Sequence, residues 1–243
     1  MKKNETSFNK LKPKVLLIIP AYNEEDSIEK TVNNIKKYNY DYIIVNDGSI
    51  DNTKRICIKN NYNIINHINN LGIGGAVQTG YKYAFLNDYD IAIQFDADGQ
   101  HDIEYVDNII KPIIKGKAHM VIGSRFIDID KSSFKSTKFR RIGINMISSL
   151  IKRLSGVKIF DTTSGFRAVN KDIIKIFSEK YPNEFPEPIT NFELLRKGYI
   201  IKEIPVNMHE RQGGKSSINS WKNAYYMINV YLSIIIEYLK GGK

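Results

Sequence analysis

The 243-residue sequence has one cysteine, Cys57, which excludes an internal disulfide framework and fits a reducing compartment, with the thiol buried near a helix. Prolines number only 7 while apolar residues make up 42% and charged residues 26%, a globular rather than disordered composition. Long hydrophobic runs are missing too. Val15 to Ile19 stops at Pro20, too short for a secretory signal. The apolar tail 221–239 is broken by Glu237 and falls short of the roughly 20 residues a membrane span needs. No transmembrane segment is expected, and in a cytosolic chain the Asn4-Glu5-Thr6 sequon carries no glycan. Acid is absent from residues 131–158, which hold Lys131, Lys135, Lys138, Arg140, Arg141, Lys152, Arg153 and Lys158. The net charge of +10 is therefore concentrated in one segment, and it raises nucleic acid, an anionic membrane or a phosphorylated substrate as partners.

Length and pattern predict one α/β domain over residues 14–217, preceded by a flexible tail (1–13) and followed by an amphipathic helix (218–243) that docks on a membrane or oligomerises. Strands are expected at "KVLLIIP", "DYIIVND", "NIINH", "DIAIQFD" and "HMVIGS". Between them helices are expected at Glu24–Lys37, Asp51–Lys59, Gly74–Leu86 and Ile103–Lys115. Short Val/Ile-rich strands alternating with helices predict a parallel sheet covered on both faces. Farther on, Ile142, Met146, Ile147, Leu150, Ile151 and Leu154 share one face of an expected helix, and residues 221–239 form another.

Ligands of such sheets bind at the carboxyl ends of the strands. Three of these ends carry polar clusters: "PAYNEE", "NDGSIDNT" and "DADGQHD". In the last, Asp96 and Asp98 can face a common hard cation, Mg²⁺ or Mn²⁺, with Gln100 adding an oxygen and His101 a weaker ligand. A solvated Asx turn around Gly99 fits the same residues. Asp102 reads as a helix cap. Asn23 can cap the first helix and Glu24 can reach backbone donors; equally, Tyr22 can stack on a base and Glu24 accept from it. Asp47, followed by Gly48, can approach a ribose hydroxyl, and Asp51 can cap the next helix. "NLGIGGAVQTG" has Val77 where a dinucleotide fingerprint needs its third glycine, and "GGKSS" has His209 where a P-loop needs its first.

Taken in order, "PAYNEE", "NDGSIDNT", "GGAVQTGY", "QFDADGQH", "GSRF", "DTTSGFRA" and "RQGGKSS" resemble glycosyltransferase family 2, in particular its polyprenyl-phosphate branch. The resemblance implies a GT-A fold, a nucleotide-diphosphate sugar donor of UDP or GDP type, a divalent cation and inversion at the anomeric carbon. Pro20, Tyr22, Glu24 and Asp47 would hold the nucleoside. Asp96 would face the nucleotide, and Asp96, Asp98 and Gln100 would hold Mg²⁺ or Mn²⁺ against the diphosphate. Arg125, Arg140 or Arg141, Arg211 and Lys215 would grip donor and acceptor phosphates, the last two on a loop that closes over the donor. The acceptor implied is a polyprenyl phosphate, for cell-envelope glycan assembly.

A phosphate monoester is already largely dianionic at neutral pH, with a second pKa near about 6, so it needs cations rather than a base. The basic segment beside an apolar helix face is what an enzyme resting on an anionic bilayer presents. The expectation is therefore a cytoplasmic, peripheral enzyme, docked on the membrane through 131–158 and 221–239 or on a small membrane protein or second copy. A hydroxyl acceptor is the alternative, with Asp161 as general base; with a lipid phosphate Asp161 would organise the site or orient Arg167. A nucleotidyltransferase would want a basic triphosphate loop where "PAYNEED" stands. Nucleic acid is not an expected partner, because an acidic cleft repels its phosphates.

Overall fold

The computed structural model describes residues 12–127, 138–208 and 220–240. Its centre is β1 (Val15–Ala21), buried along its whole length because the run "VLLIIPA" has packing partners on both faces of a sheet. Strands β2 (Asp41–Asn46) and β4 (Ile91–Gln94) flank it in parallel, pairing Leu17 with Tyr42 on one side and with Ile93 on the other. β3 (Ile64–Asn66) extends the sheet beyond β2. Helices α1 (Ile28–Lys36), α2 (Thr53–Lys59), α3 (Gly72–Leu86) and α4 (Val106–Ile114) make the crossovers, the last entered through a single 3-10 turn at Ile103–Tyr105.

The sheet is mostly parallel, as expected, with one strand reversed. It has seven strands in the order β3-β2-β1-β4-β6-β5-β7, and β6 (Arg167–Asn170) runs antiparallel between β4 and β5 (Met120–Ser124). β7 (Ile201–Pro205) pairs in parallel with β5 at the edge. Four residues beginning with an arginine carry no strand periodicity, so neither pattern nor composition marks β6. Its direction matters for the site. An antiparallel strand starts where its parallel neighbours end, so the loop before Arg167 is delivered to the carboxyl edge of β4 and β5.

Side chains alternate between two cores. Leu17, Ile19 and Ile44 pack with Val32 and Ile35 of α1 and Val106 and Ile109 of α4. Leu16 and Ile18 face the opposite way, toward Val77 and Tyr81 of α3. That second layer also holds α5 (Lys138–Ser155), α6 (Lys171–Glu179), α7 (Pro186–Arg196) and α8 (Ser220–Leu239). The buried face of α5 is Ile144, Ile147, Leu150 and Ile151, whereas Ile142 and Met146, expected on it, are exposed. The reason is α8: Met227 Sδ lies 2.6 Å from where a Cβ on Gly143 would sit, so α8 packs against the Gly143 side of the helix. Cys57 is buried in α2, where desolvation pushes its thiol up to about 11.

Candidate active site

Topology brings the three strand-end clusters together. Pro20 pairs with Val45, the Asp47 amide donates to Ala21 O at 2.8 Å, and the Phe95 amide donates to Ile18 O at 2.9 Å, so the tips of β1, β2 and β4 lie side by side.

On the β1 tip, Pro20 is buried and Tyr22 is 46% exposed. Asn23 is not the cap of α1: it sits at φ 56°, its amide donates to Ser49 Oγ, and its Oδ1 accepts from the Ile50 amide. This turn delays the helix to Ile28. Glu24 is buried, its amide donating to Thr53 Oγ1 and its Oε2 accepting from Ser27 Oγ at 2.7 Å. Asp51 does cap, accepting from the Thr53 amide. Asp47 is buried at the β2 tip, where its Oδ1 meets His67 Nδ1 at 2.7 Å and the Leu71 amide at 2.9 Å.

In "NLGIGG" it is Gly74 whose lack of a side chain the packing requires. A Cβ on Gly74 would collide with Pro182 O and, at 2.5 Å, with Asn183 Cα.

At the β4 tip the Asp96 side chain is 32% exposed while Asp98 is buried, its Oδ1 accepting from the Gln100 amide at 3.0 Å around Gly99 at φ 76°. Thr31 Oγ1 donates to Ala97 O, tying this loop to α1. His101 is no metal ligand in this arrangement. Its Nδ1 accepts from the Asp96 amide at 2.9 Å, its Nε2 lies 3.5 Å from Asp96 Oδ2, and its ring stacks on Phe166 at 4.7 Å. Burial holds its pKa below the ordinary value, so the neutral ring serves as a brace. Asp102 caps the following turn, accepting from the Glu104 amide.

The loop before β6 supplies the far wall. A Cβ on Gly165 would sit 2.8 Å from Gln94 Nε2 and 3.0 Å from Asp96 Oδ2, so only glycine lets "SGFRA" pass this close to the acidic loop. Asp161, wholly buried, accepts from Arg125 Nε and Nη2 at 2.7 Å each and from the Arg125 amide at 3.0 Å; Nη2 also donates to Thr163 Oγ1. Arg125 is thus paired with Asp161 through Nε and Nη2, and both oxygens of Asp161 are held by that guanidinium. Asp161 does not orient Arg167, which is fully buried and donates to Tyr181 Oη and Thr190 Oγ1 on the other side of the sheet. Arg141 stacks 4.1 Å over the Phe126 ring, beside Arg125. Arg211 and Lys215 lie outside the described residues, as does the side chain of Arg140.

Two carboxylates and a histidine act where sequence reading did not look. Glu203 of β7 accepts from the Phe160 and Asp161 amides at 2.8 Å each, fixing the loop that presents Asp161. Glu187, in the first turn of α7, lies near the charges of Arg167 and Asp96; burial raises its pKa. Phe185 at φ 52° and Pro186 at the helix start aim it there, and "FPEP" was the available signal. His67 was read only as the end of a strand.

The profile of the family described as glycosyl transferase family 2 matches residues 16–177. The chain belongs to this family. A Methanococcus voltae UDP-N-acetylglucosamine–dolichyl-phosphate N-acetylglucosaminyltransferase is 40% identical over 188 residues, 68% of this chain and 73% of its own. An undecaprenyl-phosphate mannosyltransferase from Micrococcus luteus is 28% identical over 229 residues, covering 89% and 92% of the two chains. Among solved structures, the glucosyl-3-phosphoglycerate synthase of Mycobacterium tuberculosis, in complex with Mn²⁺, UDP-glucose and phosphoglyceric acid, superposes with a TM-score of 0.70 at 16% identity over 93% of this chain and 80% of that one. That likeness shows the fold, and the family-2 sheet with its single antiparallel strand is a GT-A glycosyltransferase fold. The protein is a glycosyltransferase.

Proposed function

We propose that this family-2 enzyme transfers a hexose, with inversion, from a nucleotide-diphosphate sugar to a polyprenyl phosphate at the cytoplasmic face of a membrane, for cell-envelope glycan assembly. The observation that carries the reading is the meeting of the "PAYNEE", "NDGS" and "DADGQ" tips at one edge, with the buried Asp98 and the half-open Asp96 side by side on the third. The relatives named for dolichyl and undecaprenyl phosphate support the acceptor.

Asp96, Asp98 and the side-chain oxygen of Gln100 are hard oxygen donors suited to Mg²⁺ or Mn²⁺. Among the described residues no group of three His, Cys, Asp or Glu side chains forms a metal cage. Two carboxylates fit a cation that completes its shell with substrate phosphates. Bound there, the ion supplies charge neutralisation to the departing diphosphate. Tyr22 offers its exposed ring to the base, and Asp47 and Glu24 offer carboxylates to the nucleoside. An acceptor phosphate oxygen then bonds to the anomeric carbon as the bond to the donor diphosphate breaks on the opposite face. Arg141, Arg140, Arg211 and Lys215 are the cations proposed for the phosphates, with Arg125 and Asp161 as the buried pair that shapes the wall behind them.

Docking is peripheral, through the cations of α5 and the apolar outer face of α8, directly or with a small membrane protein or second copy beside it. A hydroxyl acceptor is the second reading, and the specific observation for it is Glu187, a carboxylate of raised pKa beside Asp96. In that case Glu187, not Asp161, takes the proton.

The test is thermal shift and transfer with UDP-glucose, UDP-N-acetylglucosamine and GDP-mannose, each with and without Mn²⁺, and with undecaprenyl phosphate in mixed vesicles. One donor should raise Tm only when metal is supplied. Asp98→Ala should abolish that increment and lower transfer by about 100-fold or more. Glu187→Gln should retain transfer to the lipid phosphate. No metal-dependent donor binding sinks the proposal; a wild type that binds donor with metal yet transfers nothing to undecaprenyl phosphate moves the acceptor to a hydroxyl.

A further inference from the structure

His67 stands one residue past β3, and its amide donates to Asn46 O at 2.9 Å, continuing the ladder between β2 and β3. Its ring is only 10% exposed and lies between two elements. Nδ1 is 2.7 Å from Asp47 Oδ1, and Nε2 is 2.9 Å from Thr79 Oγ1 on α3. A carboxylate only accepts, so the proton on this side of the ring belongs to Nδ1. The Thr79 hydroxyl, itself 2.9 Å from Gly75 O in the preceding turn, anchors the other nitrogen and prevents the ring from turning over.

Asp47 Oδ1 takes a second donor, the Leu71 amide. Both bonds thus fall on one oxygen, fixing the carboxylate plane, and among the described residues no donor meets Oδ2. The tip is held tightly from below as well: at Gly48, φ 70°, a Cβ would sit 2.8 Å from Asn70 N. The 69–71 segment therefore lies directly on the β2 turn.

We propose that His67, braced by Thr79, is the positioning residue that presents Oδ2 of Asp47 to the nucleoside of the donor. It touches no substrate. The idea rests on the nucleoside role of Asp47 proposed above and adds the device that orients it.

A residue of this kind changes ground-state and transition-state binding alike, so its loss raises KM for the donor with kcat little changed. His67→Ala should raise donor KM about 10-fold, with kcat within about 3-fold of wild type, the loss of one charge-assisted hydrogen bond. In His67→Asn the amide Nδ2 reaches the place of Nδ1, and donor KM should return to within about 3-fold of wild type. Thr79→Val, which keeps the shape and removes the anchor, should raise KM by a smaller factor, about 3-fold. Donor KM and kcat are measured with UDP-N-acetylglucosamine, UDP-glucose and GDP-mannose in the presence of Mn²⁺, well below each variant's Tm.

An unchanged donor KM in His67→Ala overturns the proposal. So does a fall in kcat equal to the fall in kcat/KM, or a His67→Asn variant that regains Tm without regaining KM, since either assigns the ring a structural role only. A wild type that binds none of these donors overturns the nucleoside reading and this inference together; a wild type that binds while His67→Ala binds equally well overturns this inference alone.

Discussion

Asp161 shows how one buried carboxylate can hold a cation and a loop together. Its carboxylate receives three donors from Arg125, and its own amide is held by Glu203. Asp161→Asn leaves a buried guanidinium without its counter-charge, which costs about 3–5 kcal/mol by comparison with other broken buried pairs. Urea denaturation should show that loss, and activity should fall with it. Replacing both partners, as in Arg125→Met with Asp161→Leu, should recover a large part of the stability, because desolvation of the pair is then no longer incurred. Sequence reading named both residues but matched Asp161 with Arg167, six positions away. Chain proximity is a poor guide here: Arg167 points into the opposite core, opposite Gln94 in the strand register. His67 and Glu187 were invisible for a related reason, since each acquires its meaning from a partner on another element.

Among the elements, α3 carries the most specific packing. Ala at position 74 would gain about 1 kcal/mol of helix propensity over glycine. Its methyl would however meet the backbone of Pro182 and Asn183, which cannot swing aside as a side chain can. Overpacking of this kind costs about 1–3 kcal/mol, so Gly74→Ala should lower the denaturation midpoint on balance. An unchanged or raised midpoint would show that the α6–α7 connection yields. α6 was not read from the sequence, although Ile173, Ile174 and Phe177 form its buried stripe and Asn170 caps it by accepting from the Ile173 amide. Nor were β6 and β7, because "RAVN" and "IKEIP" carry neither a continuous apolar run nor a regular alternation.

At the scale of the whole molecule, two outer helices carry the peripheral docking proposed above. Ile142 and Met146 of α5 and Ile228, Leu232, Ile236 and Leu239 of α8 are exposed, and Lys152, Arg153 and Lys158 lie along or just beyond α5. Among the described residues no helix is long and apolar enough to cross a membrane. An interfacial helix of this kind binds through its apolar stripe and through cations that each contribute about 1 kcal/mol near anionic lipid. The protein should float with vesicles containing phosphatidylglycerol and much less with neutral ones. Raising salt should weaken binding, and Leu232→Asp with Ile228→Asp should release it. Equal flotation on both lipids would remove the electrostatic part of this picture.

The order of strands and helices in the first half, the polar tips on β1, β2 and β4, and the family itself were determined by the sequence alone. These follow from hydrophobic period and turn chemistry, which are written into neighbouring residues. Tertiary structure alone decided which carboxylate meets which cation, which face of α5 is buried, and which oxygen of Asp47 meets His67 and Leu71. Those outcomes depend on an antiparallel strand inserted between parallel ones and on contacts between residues far apart in the chain, and buried charges settle only where such partners meet.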